Sequence, residues 1–173
     1  QLMVLGPNSC FPLAAGSSRQ GCQSLSTVEA ELIAARDSLK KIGIAAAELL
    51  CGRLLPKSKV IFFHEDNQAM IRVCLTGRNP TMRYLDRAHG LSVGWMHAMF
   101  TQGVFLLAYE DSERMAADIH TKAFTDPDKW YRACALINVL DPSKFDEWVA
   151  ARAAEDTDVE TGAFAAQKQE TKD

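Results

Sequence analysis

Two continuous apolar runs, "KVIFFHED" at 59–66 and "GVFLLAYE" at 103–110, constrain the fold most. Runs of this length without polar alternation read as buried strands. Between them lie "NQAMIRVCLTG" (67–77), which reads as a short helix closed by Gly77, and a helical stretch from about Leu85 to Thr101. Helix-length segments between buried strands imply parallel crossovers and a sheet layered with helices. Upstream, "QLMVLG" and "CFPLAA" read as two short strands joined by a Gly6-Pro7-Asn8 turn, with Pro12 marking an edge strand or a bulge. The expected fold class is therefore α/β: a mixed sheet in which an N-terminal antiparallel hairpin precedes parallel crossovers.

The longest helix is expected from about Ser26 to Leu55, weakened near Gly43 and closed by Pro56. Gly90 and Gly94 are expected to interrupt the 85–101 stretch. "SERMAADIHTKAF" and "DPDKWYRACALINVL" read as two further helices, the second with Pro127 in its first turn. "DPSKFDEWVAARAAE" starts another, with Asp141 as cap and Pro142 at its first position. From about Asp156 the chain is polar and charged, which predicts a disordered tail. The expected organisation is a body over 1–140, a helical extension over 141–155 and an acidic tail over 156–173.

At 173 residues the chain is long enough for one well-cored domain with an appendage. No apolar run approaches the roughly 18 residues of a membrane span, and the first residues lack the pattern of a signal peptide. The five cysteines are odd in number and form no C-x-x-C, which reads as free thiols in a reducing, intracellular compartment. The four histidines make no zinc pattern. Residues 1–140 carry 15 basic against 13 acidic side chains, so the body is not a strongly basic nucleic-acid binder, and residues 141–173 carry 4 against 9. Arg72, Arg78, Arg83 and Arg87 form a local basic stretch that reads first as a solvated surface.

The candidate chemistry lies in acids at the ends of elements. In "SLSTVEAELIAA" (24–35), Ser26 and Glu29 fit a capping box. On a wheel of about 100° per residue, Val28, Leu32, Ala35, Leu39, Ile42, Ala46 and Leu49 form one apolar stripe. Glu31 lies on the edge of that stripe and Glu29 well outside it. Glu31 is then either an acid reaching solvent at a helix end or a metal ligand at the mouth of a cleft. Asp66 sits at the carboxyl end of a buried strand, where crevices form in open α/β sheets. It could cap the following helix, but Asn67 can do the same. Asp118, among small residues in "RMAADIHTK", is either a surface acid or a third carboxylate. Acids from several elements can converge only around a cation, and Mg²⁺ accepts a few carboxylates with water and phosphate oxygens.

"LSTVEAELIAA" at 25–35, "FHEDNQAMI" at 63–71 and "MAADIHTKAF" at 115–124 resemble, in this order, the ribonuclease H domain of copia-type retroelement polyproteins. That family reads S-S-T-E-A-E-Y-I-A, D-N-Q-S-A and A-D-I-L-T-K. "MRYLDRAHG" at 82–90 is similar to its K-H-I-D-I-R-Y-H segment. The resemblance implies a five-stranded ribonuclease H-like mixed sheet with helices on both faces, and Mg²⁺- or Mn²⁺-dependent cleavage of the RNA strand of RNA–DNA hybrids. It assigns the catalytic, metal-holding acids to Glu31, Asp66 and Asp118, and substrate contacts to Asn67, Gln68 and Arg83. It also places the family's first strand and first catalytic aspartate upstream of "QLMVLG", and Leu32 and His120 stand where the family has Tyr and Leu. The resulting expectation is a domain incomplete as a nuclease. The alternative is a non-catalytic module that engages protein partners through an open sheet edge and the acidic tail.

Overall fold

A computed structural model describes residues 1–5, 11–21, 23–55, 60–82 and 84–150. The expected Gly6-Pro7-Asn8 turn, the Pro56 stop, Arg83 and the tail from 156 onward lie outside the described residues. The protein is a mixed α/β chain that divides into two compact units, Ser18–Asp111 and Gln1–Ser17 with Ser112–Asp173. No helix among the described residues is long and apolar enough to cross a membrane.

In the Ser18–Asp111 unit, helix α1 runs over Thr27–Ser38. It continues through a π-turn (Leu39–Gly43) into α2 (Ile44–Leu49), and a second π-turn covers Leu50–Leu54. The chain then enters strand β3 (Ile61–Glu65) and α3 (Gln68–Thr76). Two further helices, α4 (Leu85–His89) and α5 (Val93–Thr101), lead to β4 (Phe105–Tyr109). As the apolar runs predict, β3 and β4 pair in parallel, from Ile61 beside Phe105 to Glu65 beside Tyr109.

The core of this unit is built from α1, α3, α5 and the residues around α4. Leu32, Ile33, Leu39, Met70, Leu85, Leu91, Met96 and Phe100 are at most 2% exposed. Phe63 of β3 meets Phe100 edge-on, with ring centroids 5.3 Å apart. The apolar stripe of the wheel holds through Leu39 and then fails, because Leu49 is 50% exposed while Ala47 is buried. The π-turn at 39–43 is the cause: one residue added to a turn advances the following side chains by about 100°. Gly43 falls inside that turn, and a Cβ there would lie 3.4 Å from the Phe105 ring.

Glycine shapes the neighbouring helices differently from expectation. Gly90 ends α4 in the left-handed region (φ +58), but Gly94 lies within α5 and interrupts nothing. Gly77 closes α3 at φ +65, and its missing side chain admits the His97 ring. That ring is held through Nδ1, 2.9 Å from the Cys74 carbonyl.

The other unit begins with β1 (Leu2–Leu5) and β2 (Phe11–Ala15), an antiparallel pair whose register slips between Met3 and Val4, opposite Pro12 and Ala14. The predicted bulge at Pro12 is therefore present. Among the described residues the single mixed sheet expected from the sequence is two separate ladders, β1–β2 and β3–β4. Pro12 cannot donate a ladder hydrogen bond, which limits what β2 can pair with. The expected α-helix over 112–124 is also absent. Its place is taken by 3₁₀ segments, Ser112–Arg114 and Ala116–His120, in which no side chain is buried. Serine, aspartate and threonine compete for backbone hydrogen bonds there, and no buried apolar face offsets their low helix propensity. Helix α6 (Pro127–Leu136) follows, capped by Asp126 with Pro127 in its first turn, and Asp141 caps a further turn as predicted.

Gly77→Ala tests the α3–α5 junction. The new Cβ would stand 2.9 Å from His97 Cγ in a left-handed conformation. The expected loss of stability is about 2 kcal/mol, read by urea denaturation. A loss of a few tenths would show that the His97 ring moves aside freely.

Candidate functional site

The β3 run delivers two consecutive acids to the carboxyl end of the strand. Phe63 and Glu65 alternate onto the core side, leaving Glu65 7% exposed, while Asp66 is half-buried just beyond it. Asn67 caps α3 by accepting from the Met70 N–H (3.0 Å), so the cap does not require Asp66. The Asn67 N–H in turn donates to Glu65 Oε1 at 3.0 Å. Glu31, half-buried at the fifth residue of α1, is close enough for its charge to act on Glu65.

These contacts set the protonation of Glu65. Burial is the main cause that pushes its carboxyl up to about 7; the Asn67 N–H opposes this, while the charges of Glu31 and Asp66 and a hydrogen bond with Asp66 add to it. Glu31 and Asp66 thus both act on a third acid, Glu65, that sequence reasoning passed over. The missed signal was the phase of the strand: in "FHED", Glu65 shares the inward face of Phe63, and a carboxylate on that face needs partners.

The remaining candidates are placed differently. Asp118 is half-buried in the Ala116–His120 turn of the other unit and pairs there with Lys122. His120 is exposed, Gln68 is exposed at the start of α3, and Arg83 lies outside the described residues. On the outward face of β3, His64 pairs with Glu110 at 3.1 Å. Cys51, Cys74 and Cys134 are free thiols, and burial, with the Glu65 charge second, pushes Cys74 up to about 12.

Among the described residues no group of three or more His, Cys, Asp and Glu side chains is spaced to hold a metal ion. Mg²⁺ binds through one or two carboxylates and completes its shell with water and substrate phosphate, and Glu31 and Asp66 are donors of that chemical type.

Glu29 departs most from expectation. Ser26 caps α1 as predicted, accepting from the Glu29 N–H at 3.2 Å, but the Glu29 side chain reaches past the cap to Leu25 and is 0% exposed. Oε2 accepts from the Leu25 N–H (2.9 Å) and the Tyr84 hydroxyl (2.8 Å). Oε1 lies 2.8 Å from His89 Nε2. Arg36 of α1 donates to the His89 carbonyl, giving α4 a second tie to the same helix. Burial alone would raise the Glu29 carboxyl. The Leu25 N–H, the Tyr84 hydroxyl and His89 together outweigh it and hold the group below the usual carboxylate range, while the same hydrogen bond raises Tyr84. The wheel missed this because a helix wheel ranks faces only against the main core. It does not contain the 84–89 segment that covers the first turn from another side.

Comparison of the chain with protein-family profiles, with curated proteins and with solved structures returns no match.

The raised Glu65 carboxyl has a defined pH signature. A folded value above the ordinary 4.5 means that its contribution to stability is complete below about 4.5 and is lost as pH rises through about 7. Carboxyl ¹³C NMR is expected to give a Glu65 midpoint near 7 that falls in Glu31→Gln. A midpoint unchanged in Glu31→Gln would place Glu31 too far away to act on it, and a wild-type midpoint at the ordinary value would mean that Glu65 is not buried.

Proposed function

We propose that residues 1–140 are a ribonuclease H-like domain of copia-type retroelement descent. In this view the domain carries a divalent-cation-binding carboxylate pair, Glu31 and Asp66. The observation that supports it is the meeting of Glu31 and Asp66 at Glu65: two acids singled out by the family blocks, 35 positions apart in sequence, act on one buried carboxyl. Like charges gathered at a strand end are favourable only with a compensating cation or proton.

The roles of the side chains follow from their positions. Glu31 and Asp66 hold the cation. Mg²⁺ or Mn²⁺, when bound, supplies Lewis-acid stabilisation of charge on a phosphodiester. Glu65 carries a proton at acidic to neutral pH, which limits repulsion among the three acids without a cation. The Asn67 N–H fixes Glu65 Oε1 and so holds the strand end against the start of α3. Gln68, exposed beside Asp66, is available to an RNA–DNA hybrid. The family's third acid corresponds to Asp118.

A second reading, a non-catalytic module that engages a protein partner, is favoured by β2. That strand is apolar along its length, yet Phe11 is 61% and Leu13 41% exposed. Apolar side chains left open on a strand suit β-sheet addition or docking.

One experiment separates the readings: Mg²⁺ and Mn²⁺ titration by calorimetry with an RNA–DNA hybrid cleavage assay, comparing wild type with Asp66→Asn. Saturable cation binding that Asp66→Asn abolishes, with little or no cleavage, is the expected result. Robust cleavage lost in Asp66→Asn would show a complete nuclease. No cation response in wild type would leave the binding-module reading.

A further inference from the structure

A groove of about 670 Å³ opens between α5 and the stretch formed by α2 and its following π-turn. It lies within the Ser18–Asp111 unit, and its lining includes none of the acids at the end of β3. Its volume is that of a site for a small molecule. Small residues leave the room. Ala47 and Ala98 line the groove, and a Cβ on Gly52 or Gly103 would meet no other atom within 4 Å. Large apolar side chains, Ile44, Trp95, Met99 and Phe105, form much of the wall. Lys40 steadies the Trp95 ring, its Nζ 5.7 Å from the ring centroid, without itself lining the groove.

Apolar surface open to water favours an occupant that covers it. Charge decides which occupant. Among the described residues, Glu48 is the one charged side chain of the lining, and it is exposed and forms no ion pair or hydrogen bond. Gln102 and the Cys51 thiol, the polar groups beside it in the lining, are uncharged donors that do not neutralise a carboxylate. An apolar cation can therefore pair with Glu48 while its hydrocarbon lies on the wall, whereas an apolar anion of the same size is repelled. We propose that the groove between α2 and α5 binds a compact organic cation, an aryl- or alkylammonium ion, with its ammonium at Glu48 and its apolar body against Trp95 and Met99.

The test titrates the full, isotope-labelled chain with phenethylammonium and, separately, with hydrocinnamate, an anion of matching size, and follows amide and indole NMR shifts. Phenethylammonium is expected to give saturable shifts at the Trp95 indole and the Ala98 and Gly103 amides. Hydrocinnamate is expected to bind at least about threefold more weakly, the scale of one exposed ion pair gained or lost. Glu48→Gln, at an exposed residue, is expected to fold normally and to bring the two affinities together. Ala98→Phe fills the groove and is expected to remove binding of both ions; if it fails to fold, Glu48→Gln decides. The proposal is overturned if wild type shows no saturable shifts, if they centre on other residues, or if the two ions bind equally. A preference for the cation that survives in Glu48→Gln also overturns it. Concentration-dependent shifts at the same residues without ligand, with a dimer in sedimentation, would assign the groove to a second copy of the chain and overturn it as well.

Discussion

A carboxylate with no access to water is unfavourable unless its surroundings replace the lost solvent, and at Glu29 they do so with an N–H, a phenol and an imidazole. Much of the Ser18–Asp111 unit is organised around this requirement. The start of α1 is held where it is because Glu29 must reach Leu25, and α4 crosses it because Tyr84 and His89 must reach Glu29. Leu85 and Leu91, both almost fully buried, then fasten the same segment to the core from its apolar side. A short helix of five residues would not persist alone; here polar and apolar contacts hold it together.

The π-turns show how one helix can serve two neighbourhoods. Up to Leu39, the helix buries a face set by ordinary helical spacing. Beyond Gly43, the same helix presents Ala47 and the Gly43 backbone, with the Phe105 ring close by. A regular helix would have buried Leu49 and left Ala47 outside. The extra residue turns the apolar face to follow the curvature of the core.

The acids at the end of β3 are arranged by the opposite kind of contact. Burial first, with the charges of Glu31 and Asp66 adding to it, raises the Glu65 carboxyl to about 7, so that Glu65 holds its proton in acid. Repulsion of this kind is tolerated where the backbone is fixed by other means. Here the parallel β3–β4 ladder and the Asn67 cap supply that rigidity.

Local pattern was enough to place β3, β4, the Ser26 and Asp141 caps and the glycine that closes α3, and it offered Asn67 as a cap and a bulge as one reading of Pro12. In each case a few adjacent residues contain the whole cause: an apolar run, an oxygen two or three residues before an orphan N–H, or a missing Cβ. The stretch 112–124 misled because its residues are compatible with a helix, but its only support would have been a buried face, which it does not have. Among the candidate site residues, Asp66 and Glu31 were visible as acids at element ends. The sequence alone thus determined the α/β character, the parallel crossover from β3 to β4 and which acids stand at the ends of elements. Only the tertiary structure decided that Glu29 is buried, that Glu65 joins Glu31 and Asp66, and that Asp118 pairs with Lys122. Burial and charge coupling are properties of residues far apart in the chain, and no local spacing encodes which distant segment covers a given side chain.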